Sequence, residues 1–408
     1  MPPLTRRWFI VLALFVVTFG ISMPLAAYGV FLPIIAETFG WSRGAIATAL
    51  SLNLVLGGIG GFFVGALADR HGPRAMLLLT VGLAGTGFGL VSIVGALWQL
   101  YVLVGLLGGI GMSSFYLLST ATVARWFDDR RGLAIALVLV GFNVGYIVAG
   151  PLAATLIAHV GWRAAYAILG GGCAFMAVVA AASVRVPREA EAAVLHAAQK
   201  RRVRNGRAEP GAGVTMREAL VDPRQWCLNG AWLLLGAIIL MVGVHAVPYV
   251  RDHGVSLAAA SLALTAYGIG TVGGRLTSGA ASDRFGTRVT IGVGYVIEVL
   301  ALVLLAGGSS PGMLLGAMAL FGIGAAVTDT MLVRAIPDTF GLRALGAIMG
   351  VLTLGWRSGA ATGPAVAGFI YDATGSYAIP FWAAPVAVLV SWALFTLATR
   401  RPPSDSAA

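Results

Sequence analysis

The chain has 408 residues, 58% of them hydrophobic and 11% charged, with 56 glycines and a formal net charge of +11. Soluble proteins carry about 25% charged residues, so this composition excludes a soluble globular domain and points to a polytopic membrane protein. Apolar runs of about 20 residues select membrane helices over the short alternating strands of an outer-membrane barrel.

Twelve apolar spans are predicted, at 8–36, 44–67, 75–96, 98–124, 132–158, 163–185, 226–250, 257–281, 289–307, 311–335, 343–370 and 377–399. The first follows Arg6 and Arg7 and continues to Ile35. It outruns the short apolar core of a cleavable signal peptide and is read as a retained membrane helix. Spans one to six make an N-terminal bundle over 1–185. Residues 186–224 are polar and hold Arg188, Lys200, Arg201, Arg202, Arg204, Arg207 and Arg217, a basic cytoplasmic linker. Residues 225–408 make the C-terminal bundle. The expected fold is an all-α membrane protein with 12 transmembrane helices in two pseudo-symmetric six-helix bundles.

An even number of spans puts both termini on one face. That face holds 22 arginines and lysines, the opposite face holds Arg43, Arg163 and Arg251, and Arg275 and Arg357 lie inside, which accounts for all 27. By the positive-inside rule the richer face is cytoplasmic. The expected location is the cell inner membrane, multi-pass, with both termini in the cytoplasm and the lipid bilayer as partner. The basic charge is therefore topological, and no nucleic-acid partner is expected. Cys173 and Cys227 lie in or beside apolar segments without metal-ligand spacing.

The two halves repeat. Gly65-Ala66-Leu67-Ala68-Asp69-Arg70-His71-Gly72-Pro73-Arg74 follows span two, and Gly279-Ala280-Ala281-Ser282-Asp283-Arg284-Phe285-Gly286-Thr287-Arg288 follows span eight. A second landmark, Gly150-Pro151 late in span five and Gly363-Pro364 late in span eleven, recurs at nearly the same offset in numbering. Parallel repeats of this kind point to a rocking transporter.

Arg275 precedes Asp283 by about 12 Å of helix. If Asp283 marks the membrane surface, Arg275 sits near mid-depth in a hydrocarbon core about 30 Å thick, where an ionisable group is functional by default. Arg357 has Arg343 about four helical turns before it and Asp372 about four turns after it, and lies equally deep. A guanidinium fork suits a carboxylate, because it donates two parallel hydrogen bonds. The other reading is a structural pair of either arginine with Asp329, in span ten, which could also neutralise an empty site or carry a proton. Glu298, in span nine, is expected to pair with a polar neighbour or face the bilayer surface. His245 is either a gate or proton relay or a hydrogen-bonded structural histidine. The ladders Gly141, Gly145, Gly150 and Gly355, Gly359, Gly363 allow close helix approach. Gly270-Thr271-Val272-Gly273-Gly274 is not a nucleotide loop, since no strand precedes it and no P-loop lysine follows. No nucleophile elbow, His-Glu cluster or metal spacing appears, so neither enzyme chemistry nor a cofactor is expected.

Both copies of G-x-x-x-D-R-x-G-x-R resemble the cytoplasmic loop signature of the major facilitator superfamily. With twelve spans and a basic central linker, the resemblance covers essentially the whole chain. The run Trp126-Phe127-Asp128-Asp129-Arg130-Arg131-Gly132-Leu133-Ala134 through Gly141 is similar to the monocarboxylate-transporter group and the related oxalate–formate antiporters. Arg275 stands where that group carries its span-eight arginine, and Arg357 where the antiporters carry a span-eleven lysine. Two features depart from the pattern. Thr5-Arg6-Arg7-Trp8-Phe9 replaces an Asp-Gly-Gly-aromatic signature, and Thr271 stands where many proton-coupled members carry an acid.

The resemblance implies a rocker-switch secondary transporter for a small organic anion, a monocarboxylate or hydroxy acid, with a proton or a counter-anion as coupling partner. Arg275, Arg357, Tyr28, Tyr116, Asn143 and His245 are the implied substrate contacts. Tyr28 and Tyr116 are candidates for an aromatic wall, with packing as the alternative for each; Asn53 and Tyr146 lie on the same cavity-lining spans. Asp329 is the candidate for proton coupling or charge balance. Asp69, Arg70, Arg74, Asp283, Arg284 and Arg288 are the implied cytoplasmic gate. Open alternatives are a dicarboxylate exchanger, a multidrug or amphiphile exporter of the same fold, and a non-transporting receptor.

Overall fold

A computed structural model describes residues 3–113, 115–127, 131–184, 214–341 and 345–399. Most of the expected linker, 186–213, lies outside the described residues. Among the described residues there is no β-strand, and twelve membrane helices follow in chain order. In the first half these are α1 (Pro3–Phe39), α2 (Arg43–His71) and α3 (Pro73–Leu90), then α4. Helix α4 is composite: Leu97–Leu100, a π-type run Tyr101–Gly108, Gly109–Met112, then Phe115–Trp126. The element Arg131–Ala182 is broken at Gly161, whose φ of 77° and ψ of 162° are not helical, and is two helices, α5 before the break and α6 after it. The second half holds α7 (Pro223–Asp252), α8 (Leu257–Phe285), α9 (Thr287–Gly307), α10 (Pro311–Phe340), α11 (Leu345–Thr374) and α12 (Ala378–Thr399).

Nine stretches among the described residues are long and apolar enough to cross a bilayer. One of them, Leu137–Ala182, contains the Gly161 break and accounts for two crossings. Leu97–Met112 is a shorter apolar helix that Phe115–Trp126 extends, and α11 has 30 residues. The single span expected at 98–124 is thus interrupted. Gly105, Gly108, Gly109 and Gly111 bring the widened segment against Leu52, Asn53 and Ala84, where any Cβ would collide. The Asn53 amide donates to the Val104 carbonyl at 2.8 Å, inside the π-type run.

The internal repeat is visible in the backbone. Among the described residues seven glycines have positive φ, and six fall into three pairs at one constant offset in numbering: Gly40 with Gly254, Gly72 with Gly286, and Gly161 with Gly375. Each pair sits at equivalent junctions, α1–α2 with α7–α8, α2–α3 with α8–α9, and α5–α6 with α11–α12. Gly72 (φ 82°, ψ 154°) and Gly286 (φ 83°, ψ 157°) have nearly the same conformation, which L side chains rarely adopt. The helix starts match as well. Ser42 Oγ accepts from the Ala45 amide at 3.1 Å, and its counterpart at the same offset, Ser256 Oγ, accepts from the Ala259 amide at 3.3 Å.

The chain divides into two compact units: Met1–Ala208 with Gly243–Gly268, and Glu209–Val242 with Ile269–Ala408. In the first unit Gly141 and Gly145 seat α5 on Phe15, Thr18, Phe19 and Ser22 of α1, and Thr18 Oγ1 donates to the Val138 carbonyl at 2.6 Å. The same unit holds the last turns of α7 and the first half of α8. Gly29 abuts the Val244 carbonyl, Gly150 abuts that of Ser261, and Thr265 Oγ1 donates to the Ile147 carbonyl at 2.7 Å. In the second unit Gly355, Gly359 and Gly363 seat α11 on Asn229, Leu233 and Ala237 of α7. The glycine ladders therefore serve close helix packing, Gly141 and Gly145 of α5 on α1 and Gly150 on α8 in one unit, and α11 on α7 in the other.

The outward faces are apolar. On α9, Val289, Val293, Val296, Leu300 and Val303 are all exposed, at spacings of three and four. Such a stripe would be a liability in water and is suited to lipid contact. The opposite side of α9 buries Tyr295 and Glu298. Just outside α7, a short helix Met216–Val221 begins with a reciprocal cap between Thr215 and Glu218. Asp222 follows, and the Arg224 guanidinium that hydrogen-bonds it holds its carboxyl below the usual range.

Candidate functional site

Helix α8 carries Arg275 in its second half, with Gly270 and Gly274 bringing the helix against Ala319, Ile323 and Ala326 of α10. That approach sets Arg275 beside Asp329. Arg275 Nη2 stands 3.4 Å from Asp329 Oδ2, and this is its one polar side-chain contact among the described residues. A distance of 3.4 Å is beyond the usual range for N–H···O bonds. The other carboxylate oxygen, Oδ1, accepts from Trp232 Nε1 at 3.1 Å, so α7, α8 and α10 converge there. The Arg275 side chain is 40% exposed and that of Asp329 24%. The sequence leaves open which arginine meets Asp329; the structure gives it to Arg275. Sequence reasoning misses Trp232, because nothing in its neighbouring residues distinguishes it from an aromatic anchor.

Arg357 lies half-buried on α11 in the same unit. His245 is fully buried on α7. Tyr28 is 1% exposed, and its hydroxyl donates to the Ile46 carbonyl at 2.6 Å, tying α1 to α2. In this arrangement its polar end is taken by packing. Asn143 is buried at 8% exposure and makes no hydrogen bond with the described residues. The side chains of Tyr116 and Asp69 lie outside the described ones.

Of the residues expected to form a gate, Asp283 pairs with Arg334 of α10 at 2.8 Å, and Arg284 lies over the Phe285 ring. Arg70, Arg74 and Arg288 are exposed. At the other helix ends, all three arginines assigned to the poorer face are engaged. Arg43 grips Asp252 with two nitrogens at 2.9 and 3.1 Å, and Arg251 meets Glu37 at 3.1 Å. Arg163 donates to the carbonyls of Ser92 and Val94 and stacks over Trp162. The partner acids Glu37 and Asp252 are not singled out by the sequence, because pairing between residues so far apart in the chain leaves no local signal.

Glu298 is fully buried on α9. Thr328 Oγ1 donates to its Oε2 at 3.0 Å, and Oε1 has no partner among the described residues. The expected polar neighbour is thus Thr328, one residue before Asp329. No cluster of His, Cys, Asp or Glu among the described residues could hold a metal ion.

The model of the Major Facilitator Superfamily matches residues 10–250 and 237–408. The chain is 26% identical to human Monocarboxylate transporter 11, an alignment covering 92% of this chain and 79% of that protein. It is 27% identical to the Oxalate:formate antiporter of Oxalobacter formigenes, covering 74% of this chain and 69% of the relative. It is 26% identical to the Gallate transporter of Pseudomonas putida, covering 74% and 71%. Among solved structures, a bacterial homolog of the human lysosomal transporter Spinster, inward-facing and unoccupied, aligns with a TM-score of 0.76 at 16% identity, over 98% of this chain and 99% of that one. At that identity the likeness is one of fold.

Proposed function

The chain belongs to the major facilitator superfamily, and on that premise we propose that it is a secondary transporter of a small organic anion, a monocarboxylate or hydroxy acid, anchored on Arg275. It is a multi-pass membrane protein whose role is transport rather than catalysis. The reading carries the two six-helix halves, 1–185 and 225–408, through alternating access. It places the chain in an inner membrane with both termini cytoplasmic, an orientation that the arginine distribution supports.

One observation carries the reading. Arg275 is deep in a membrane helix, yet its resident carboxylate holds it by a single long contact and leaves it 40% exposed. A guanidinium locked into a structural pair would present both nitrogens to its partner at about 2.7–2.9 Å. This one keeps donors open for a second carboxylate. Binding that carboxylate frees Asp329 from its counter-ion, so charge balance is restored by a proton on Asp329 or by exchange for another anion. Three similar proteins are named for carboxylic acids or their anions, which supports the class of cargo. Arg357, a second cation in the same unit, favours exchange of a dicarboxylate as the alternative.

Uptake by the purified protein in liposomes tests this, with labelled lactate, oxalate, benzoate and hydroxybenzoate, with and without an imposed pH gradient. At least one acid is expected to enter, and Arg275→Lys is expected to lower kcat/KM by about ten- to a hundredfold, as loss of a bidentate charge-assisted contact predicts. Normal transport by Arg275→Lys would remove the anchor. Transport of amphiphilic cations in place of acids would favour the exporter.

A further inference from the structure

We propose that Glu298 is a proton-binding site of the second unit: it holds a resident hydrogen, and loss of that hydrogen weakens anion binding at Arg275 and Asp329. The second half of the proposal rests on the anion reading above.

Glu298 lies at the middle of α9 and is fully buried. Gly294 abuts Val327 and Thr328, and Gly324 abuts the backbone of Glu298, so α9 and α10 meet closely at this level. The Glu298 carboxyl has one polar contact among the described residues, Oε2 to Thr328 Oγ1 at 3.0 Å, and Oε1 is sealed from solvent without a partner there. No cation pairs with it among the described residues. Helix α9 packs on α10 and α12. From α10 the neighbouring titratable group is Asp329, next in sequence to Thr328; Arg334, further along, is held by Asp283. Helix α12 (Ala378–Thr399) brings no ionisable side chain. On α9 itself Arg288 is exposed, and the Tyr295 hydroxyl is already used. Ser391 Oγ, 3.0 Å from it, gives its own hydrogen to the Ala231 carbonyl at 3.0 Å, so Tyr295 is the donor between them.

The hydrogens around Thr328 decide the charge. Its Oγ1 also lies 3.1 Å from the Ala325 carbonyl, and a hydroxyl has a single hydrogen to give. With the carboxyl ionised, that hydrogen serves Oε2, and a full negative charge rests at membrane depth on one neutral donor. One such bond does not offset the desolvation of the charge. With the carboxyl neutral, Oε2 donates to Oγ1, and Oγ1 donates to Ala325. Both contacts are then used, and the atom left over is the carbonyl oxygen of an uncharged acid. A neutral acid satisfies this geometry where a carboxylate does not.

Asp329 differs. Its side chain is 24% exposed, and its oxygens meet Trp232 and Arg275. It is the carboxyl able to trade a proton with water at each turnover, whereas the sealed Glu298 keeps its own. One hydrogen bond and one peptide link lead from Glu298 to Asp329, and the two carboxyls are close enough for their charges to interact. Ionised, Glu298 would add a second negative charge near the arginine that holds the cargo, and repulsion would lower the cargo's affinity.

The test uses the full chain in liposomes. Infrared spectra at neutral pH are expected to show the carbonyl stretch of a protonated carboxylic acid that Glu298→Gln abolishes and Asp329→Asn retains. Thr328→Val, which keeps the acid and removes the acceptor of its hydrogen, is expected to shift that band. Uptake of labelled lactate, oxalate, benzoate and hydroxybenzoate is then measured without a pH gradient. The KM of the transported acid is expected to rise from mildly acidic to mildly alkaline buffer, and Glu298→Gln to remove about a factor of ten from that rise, the usual worth of a like charge nearby. A parent without the band, a band unshifted in Thr328→Val, or a KM profile that Glu298→Gln leaves unmoved overturns the proposal and leaves the anion reading standing. A protein that shows the band and takes up none of the four acids overturns the anion reading, and the link to cargo with it, while the resident hydrogen stands.

Discussion

Arg275 and Asp329 touch through one nitrogen and one oxygen at 3.4 Å, while Trp232 holds the other oxygen of the same carboxylate at 3.1 Å. The carboxylate is thus fixed by the indole and leaves the guanidinium loosely attended. In the proposed cycle Asp329 competes with the cargo for Arg275. Asp329→Asn keeps an acceptor for Trp232 and removes the competing charge. Its KM for the transported acid is expected to fall by about three- to tenfold, the scale of a partly exposed ion pair. Accumulation driven by a pH gradient is expected to vanish in the same variant. An unchanged KM would show that the two carboxylates do not share the arginine.

At the opposite helix ends, Arg43 and Asp252 form a two-nitrogen grip with side chains 14% and 32% exposed. The pair joins the start of α2 to the end of α7 within the first unit. Arg43→Ala is expected to destabilise the purified protein by about 1 kcal/mol, screening included, a loss of a few degrees in Tm. Reversing the charges, with Arg43→Asp and Asp252→Arg together, is expected to recover most of that loss. Equal melting of the single and double variants would show that the grip contributes nothing.

Glu298 supplies a test of burial. Thr328→Val removes the one hydrogen bond of a carboxyl whose other oxygen already lacks a partner among the described residues. The expected cost is about 1–3 kcal/mol. Glu298→Gln keeps an acceptor for Thr328 and is expected to melt within about a degree of the parent, since an amide is cheaper to bury than a carboxylate. A large loss in Glu298→Gln alone would point to a role for the acid beyond packing.

The paired turn glycines predict paired effects. Gly72→Ala and Gly286→Ala each place a Cβ where φ is 82° or 83°. The expected cost of that backbone, a positive φ with an extended ψ that is essentially restricted to glycine, is about 1–3 kcal/mol at each position. Asparagine at either position is expected to cost about as much as alanine, because a ψ of 154° or 157° lies outside the left-handed helical region that asparagine tolerates. Both positions are open around the would-be Cβ, so the penalty is one of backbone conformation and not of collision. Unequal losses in thermal melts would show that the two turns are supported differently.

The spans are legible because hydropathy is local: Leu257–Phe285 or Thr287–Gly307 declares itself within its own residues. The repeat is legible because turns need particular glycines, and Gly72 and Gly286 recur with their acids and arginines. The break in α4 is not. A run of Gly105, Gly108, Gly109 and Gly111 reads as one helix until Asn53 and Ala84 are known to press on it. At the site, the depth of Arg275 follows from its distance to Asp283. Its partner is one of several arrangements open to three charges within membrane spans, and only the approach of α8 to α10 selects Asp329. Trp232, Glu37 and Asp252 lie beyond reach, since each acts on a residue far away in sequence.

The recurrence of Gly40, Gly72 and Gly161 as Gly254, Gly286 and Gly375 has an evolutionary corollary. A module that crosses the bilayer six times returns to the side it left. A second copy spliced behind it enters in the same direction as the first. Such a gene fusion needs no inversion of either copy and no additional crossing to reconcile them. The joining segment is then free to drift in length and composition, while the corners of each copy remain under the same stereochemical constraint.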